Sequence, residues 1–191
     1  LWAVMFSPLT APHVRFWWMM TGSALLLGLL STCFNPRWWQ RTEWNGANLL
    51  LGIVVAAALW GIFWVGDKAS SWLFDFARPQ VDTIYGMKSG ESPWLLAGLM
   101  LFLIGPAEEI FWRGCVQQEF SERFGPGRGF LLTTLLYALV HAASCNFMLV
   151  MAAFVAGLVW GALYRFFPRC FAGIIVSHAL WDAAVFIWFP I

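Results

Sequence analysis

Long stretches without charge set the frame of this chain. Residues 16–34 and 44–66 contain no Asp, Glu, Lys or Arg, and neither does 129–164. A helix needs about 20 apolar residues to cross the hydrocarbon layer. The runs and their punctuation predict six crossings, near 16–34, 47–66, 93–113, 129–144, 146–167 and 170–189. Asn35-Pro36 and Pro168 close the first and fifth, and Ser92-Pro93 has the form of an N-cap followed by proline at the first helical position. The third helix is expected to run on through the amphipathic tail VQQEFSERF to Gly125-Pro126-Gly127, which makes it the longest. The 129–167 run exceeds one span, and Ser144-Cys145-Asn146 is its break, so it reads as a tight helical hairpin. Residues 67–92 form the longest polar connection, in which WLFDFARPQV keeps enough apolar side chains to lie along a membrane surface.

The expected fold is therefore an all-α, polytopic transmembrane bundle of about six helices around a polar pocket. It divides into two N-terminal spans with an amphipathic loop (1–92) and a core carrying the chemistry (93–191). Composition agrees: the 191 residues are 61% hydrophobic and 11% charged, with mean hydropathy +0.71. Trp17, Trp18, Trp60, Trp64, Trp160 and Trp188 lie near the ends of apolar runs, where indole rings favour the headgroup level. A net charge of +1 argues against nucleic acid as a partner. Cys33, Cys115, Cys145 and Cys170 form no CxxC pair and suggest neither a thiolate metal site nor a disulfide framework. The chain begins with Leu and no signal peptide is recognisable, as expected of a fragment or an incomplete gene product. Arg37, Arg41, Arg123, Arg128, Arg165 and Arg169 fall on one side of the bundle, against Arg15, Lys68, Arg78 and Lys88 on the other, and the six-Arg side is expected to be cytoplasmic.

Against this background a few ionisable residues within spans carry the functional signal, because each costs about 2.5–3.5 kcal/mol on insertion scales. They are Glu108, Glu109 and Arg113 on the third helix, His141 on the fourth, and His178 and Asp182 on the sixth. Glu109 and Arg113 are i and i+4, so an arginine stands beside two adjacent carboxylates. It can hold one ionised and leave the other to polarise water; the alternative is a salt bridge that fixes helix packing. His141 taken alone suits an interhelical hydrogen bond as well as it suits catalysis. His178 and Asp182 share a helical face, either as an imidazole with its orienting carboxylate or as two groups facing a substrate. Glu108 is about 22 Å from Pro93, and His178 about 12 Å from Cys170, along their helices. Both fall in the half of the bilayer nearer the Arg-rich side, with His141 a little deeper, which suits one pocket opening toward one face.

These motifs resemble the CPBP (Abi) family of CAAX-type prenyl endopeptidases and bacteriocin-processing proteins. The family pattern is EExxxR, then FxxxH, then HxxxN or HxxxD. The chain reads Glu108-Glu109-Ile-Phe-Trp-Arg113, Tyr137-Ala-Leu-Val-His141 and His178-Ala-Leu-Trp-Asp182, over roughly residues 93–189. Tyr137 in place of Phe is the one departure, expected to alter only local packing. The resemblance implies an intramembrane endopeptidase acting on a membrane-associated or lipidated peptide or protein. Glu108 is the implied base that activates water, with His141 positioning it. Arg113 fixes the carboxylates, with Glu109 as its partner, and His178 with Asp182 stabilises the oxyanion. Members are often described as metalloproteases, and two His with two Glu could ligate zinc, yet no HExxH is present; metal-free catalysis without a cofactor is expected, with zinc or another divalent metal as the alternative. A small apolar chain of this kind is expected in a bacterial plasma membrane. Two other readings remain: a proteolytically inactive scaffold or immunity protein of the same fold, and a proton-coupled transporter, which six short helices without inverted repeats suit poorly.

Overall fold

The computed structural model describes residues 1–191 and contains helices only. A short α1 (Trp2–Phe6) precedes α2 (Phe16–Phe34) and α3 (Gly46–Leu73); α4 (Ala77–Gly86) then leads to α5, a continuous helix over Pro93–Phe124. The chain ends in α6 (Pro126–Leu139), α7 (Phe147–Phe166) and α8 (Pro168–Trp188). Five helices, α2, α3, α5, α7 and α8, are long and apolar enough to cross a membrane. The expected fourth crossing is a correction: α6 has 14 residues, about 21 Å of helix, and gives way to a turn at Val140-His141. The uncharged run 129–164 conceals this, because hydropathy does not mark where a helix unwinds inside an apolar segment. The hairpin break itself is where expected. Cys145 takes a left-handed conformation (φ 52°) and the Asn146 side chain accepts from Leu149 N at 2.9 Å, capping α7.

Several polar side chains on the outer spans are satisfied within their own helix, as hydrocarbon favours, although the buried Ser23 hydroxyl on α2 has no partner. Thr21, Ser31 and Thr32 donate to the carbonyls four residues back, at 2.7, 2.7 and 2.8 Å. Asn45 caps α3 by accepting from Asn48 N at 2.9 Å, and Asn48 in turn donates to Arg169 O at 3.2 Å, tying α3 to the start of α8. Exposed Leu25, Leu29, Ile53, Val54 and Val65 form the outer surface of α2 and α3 that suits lipid contact.

Close helix contacts rest on glycine. A Cβ on Gly52 would lie 2.7 Å from Val176 Cγ1, and one on Gly173 would lie 2.8 Å from Asn48 O, so α3 and α8 approach nearly backbone to backbone. Gly105 does the same for α5 and α8, where an added Cβ would lie 2.8 Å from Ala179 Cα. Three core clusters fill the bundle, the smallest formed by Trp112, Tyr137 and Ala153 beside two larger ones. One joins α1, α2 and α5 through Met5, Met20, Leu96, Met100 and Ile104. The other joins α3, α7 and α8 through Leu59, Trp160, Phe171 and Ile174.

As expected, α5 is the longest helix and ends at Gly125, whose φ of 86° suits glycine. It is not uniform. Met100–Ile104 and Ile110–Gln117 are wound as π-helix, and the α-helical turn between them holds Glu108 and Glu109. Pro106 has no N–H to give to the preceding turn, which accounts for loosened winding on its N-terminal side. Such π segments are common at functional sites. A third, Ala184–Trp188, follows Asp182 by two residues.

Candidate active site

Gly105 brings α5 against α8, and one turn further Glu109 meets His178. Glu109 is fully buried, and its Oε1 accepts from Arg113 Nη1 at 2.9 Å and from His178 Nδ1 at 2.6 Å. The other ring nitrogen of His178, Nε2, lies 3.5 Å from Asp182 Oδ2. The imidazole is thus suspended between two carboxylates, and the Trp160 ring stacks on it at 3.9 Å with planes 18° apart. Trp160 is held in turn by donating Nε1–H to Ser177 Oγ at 3.1 Å. Arg113 lies 1% exposed between aromatic faces, its guanidinium carbon 4.9 Å from the Tyr137 ring and 5.6 Å from the Trp160 ring. A charge in such a place is tolerated because a carboxylate and π faces surround it.

Glu108 points elsewhere. Its Oε2 accepts from Tyr137 Oη at 3.2 Å and it makes no ion pair, so the two adjacent carboxylates are divided between different environments. His141, one turn after Tyr137, is held through Nδ1, which lies 2.8 Å from the Tyr137 carbonyl oxygen; its Nε2 has no partner in the protein. Phe6 of α1 packs against this imidazole with ring centroids 5.2 Å apart.

A cavity of about 460 Å³ reaches Glu108, Tyr137, His141, His178 and Asp182 at its inner end. Glu109 and Arg113 stand behind this wall and do not line it. The structure therefore draws all six sequence-derived candidates into one cluster, four of them facing the cavity and two supporting from behind. From there the cavity passes between apolar side chains such as Ile62, Met100, Ala152 and Val185 and reaches α4 at Val81, Ile84 and Tyr85. This is the side of Arg15, Lys68, Arg78 and Lys88. The cavity thus leads from the polar cluster toward α4, and none of the loop residues beside the six Arg line it.

At that outer end α4 is fastened by polar contacts. Arg78 Nη1 lies 3.4 Å from Asp67 Oδ1, Tyr85 Oη donates to Val185 O at 3.2 Å, and the Gln80 side chain accepts from Met148 N at 3.0 Å. The 67–92 connection, expected only to lie along the membrane surface, thus forms part of the cavity wall. Sequence reasoning also missed Trp160. Its place near the end of an apolar run suggested an interfacial ring, yet it is wholly buried against His178. Trp17 is likewise buried and donates to Met87 O at 2.9 Å, whereas Trp18 and Trp64 are exposed as expected. Only spacing held a clue: Gly157 and Gly161 flank Trp160 on a face that packs against α5 and α6.

A metal does not fit this arrangement. No three His, Cys, Asp or Glu side chains converge as a ligand set, and His178 Nδ1 is already bonded to Glu109.

Comparisons with curated proteins and with solved structures gave no match. The family model for type II CAAX prenyl endopeptidase Rce1-like proteins matches residues 90–184, which include every motif residue named above. Through that stretch the chain belongs to the Rce1-like (CPBP) family, and it is a multi-pass membrane protease of the CAAX type whose substrate is a peptide or protein.

Proposed function

We propose that the protein hydrolyses a peptide bond of a membrane-associated or lipidated substrate, with Glu108 as the base that activates water. The observation that carries this reading is the division of labour between adjacent carboxylates. Glu109 is committed to Arg113 and His178 and has no exposed surface, whereas Glu108 borders the cavity with only a phenol on it. A base must reach the water it deprotonates, and Glu108 meets that condition. Glu108 takes a proton from water as the oxygen attacks the substrate carbonyl carbon, and the carbonyl electrons move onto oxygen. When the tetrahedral species collapses, the C–N bond breaks and the Glu108 carboxyl returns the proton to the leaving amine. His141, with Nδ1 held by the Tyr137 carbonyl, presents Nε2 to position the water. His178, oriented by Glu109 and Asp182, directs its Nε2 donor at the developing oxyanion in a site with little water.

The apolar walls between the cluster and α4 suit a lipid chain or an apolar segment of the substrate, which would approach from the α4 side. Six Arg on the opposite side support a cytoplasmic placement of that side. Comparison of two neutral variants tests the assignment in purified, detergent-solubilised protein. Glu108→Gln should reduce cleavage of a lipidated fluorogenic peptide library by about a hundredfold or more while keeping the thermal midpoint. Glu109→Gln should lower both, because it removes the charge that Arg113 and His178 share. Equal activity of Glu108→Gln and wild type would refute the assignment.

A further inference from the structure

Tyr137 stands where the family pattern has phenylalanine, and its hydroxyl has a partner. Tyr137 Oη lies 3.2 Å from Glu108 Oε2, the only hydrogen bond that the Glu108 carboxylate makes within the protein. The phenol is fixed from several sides. Tyr137 is 5% exposed, its ring meets that of Trp112 edge-on at 5.2 Å, and the Arg113 guanidinium lies over it at 4.9 Å. Gly157 makes room on the α7 side, since a Cβ there would lie 3.1 Å from Tyr137 Cδ1. Tyr137 also offers its own carbonyl oxygen to His141 Nδ1 at 2.8 Å. One side chain and its own backbone thus contact both a carboxylate of α5 and the imidazole of His141 in the turn after α6.

We propose that Tyr137 is a positioning residue for Glu108: its hydroxyl holds one carboxylate oxygen, so that the other faces the water used in hydrolysis. The proposal rests on the protease reading of the same site. A phenylalanine would keep the ring contacts and the carbonyl that orients His141, and would lose only the hydrogen bond. A carboxylate bordering a cavity has free rotation about its side-chain bonds unless something holds it, and misplacement of a reacting group by about 1 Å is costly to rate. The hydroxyl therefore acts on the chemical step and leaves the binding of an apolar substrate untouched.

The test is Tyr137→Phe beside wild type and Glu108→Gln, in detergent, with kcat, KM and the thermal midpoint measured for the most rapidly cleaved lipidated peptide. If wild type cleaves and Glu108→Gln does not, the protease reading stands and Tyr137→Phe decides the proposal. The expected result is a fall in kcat of about tenfold or more, as for loss of a hydrogen bond to a charged group, with KM held within about twofold and the midpoint unchanged. An unchanged kcat would overturn the proposal and leave the protease reading intact. So would a rise in KM alone, or a fall in activity that merely follows a fall in the midpoint. Absence of cleavage by wild type across the library would overturn the protease reading, and this proposal with it.

Discussion

At Glu109 a single carboxylate oxygen accepts from Arg113 at 2.9 Å and from His178 at 2.6 Å, with no exposed surface on the residue. Removing one partner of such a group leaves a buried charge unanswered, at a cost of about 3–5 kcal/mol. Arg113→Met should therefore lower the thermal midpoint sharply and abolish cleavage, since it frees Glu109 and unsettles His178; a midpoint equal to that of wild type would contradict the packing described here. The same crowding bears on metal. The Nδ1 atoms of His178 and His141 already have partners and no three side chains converge as a ligand set, so cleavage should persist after prolonged incubation with a chelator and dialysis. Loss of activity with chelator and its return on adding zinc would show a ligand set that this arrangement does not contain. At this scale the sequence was legible wherever cost was the signal. Charges inside apolar runs are expensive, and Glu108, Glu109, Arg113, His141, His178 and Asp182 do meet. Aromatic partners carry no such cost, which is why Trp160 on His178 and the Tyr137 bond to Glu108 became visible only in three dimensions.

Among the elements, α5 shows how backbone winding places side chains. Its two π-helical stretches bracket the turn that carries both carboxylates, and Gly105 at the start of that turn sets α5 against Ala179 of α8. A branched side chain at this contact must push the helices apart. Gly105→Val should cost about 1–3 kcal/mol in stability by overpacking and lower kcat through displacement of His178 from Glu109. Retention of wild-type kcat and midpoint would show that the contact is looser than described. Periodicity and punctuation located α2, α5, α7 and α8 to within a few residues, whereas α3 runs on past the expected end at 66 to Leu73, carrying Asp67 and Lys68 within the helix. They failed at α6, because Tyr137-Ala-Leu-Val-His141 is as apolar as a spanning helix while its backbone leaves the helix after Leu139. Nothing in the sequence before Pro106 marks the π winding of Met100–Ile104.

For the whole molecule, the cavity joins elements that the sequence kept apart. Residues of α2, α3 and α4 line it together with α5, α7 and α8, although the first two spans contain no chemical motif. Charge counting weighed the two sides of the bundle but held no information on which side an internal space would lead to. The apolar middle of the cavity should discriminate substrates by bulk. Ala152, half-buried on its wall, offers a place to narrow it. Ala152→Trp is expected to slow cleavage of peptides with long lipid chains by about tenfold relative to short-chain ones, through exclusion of chain methylenes that each contribute about 0.8 kcal/mol. A uniform effect on all chain lengths would place the lipid elsewhere.

The central claim, that Glu108 drives hydrolysis of a peptide bond by water, is tested most directly by mass spectrometry of a lipidated peptide library incubated with the purified protein in oxygen-18 water. The expected result is paired fragments from a single cut, one heavy oxygen in the new carboxyl group, and no such pair with Glu108→Gln. Labelled fragments from Glu108→Gln at the wild-type rate, or no fragments from the wild type, would contradict it.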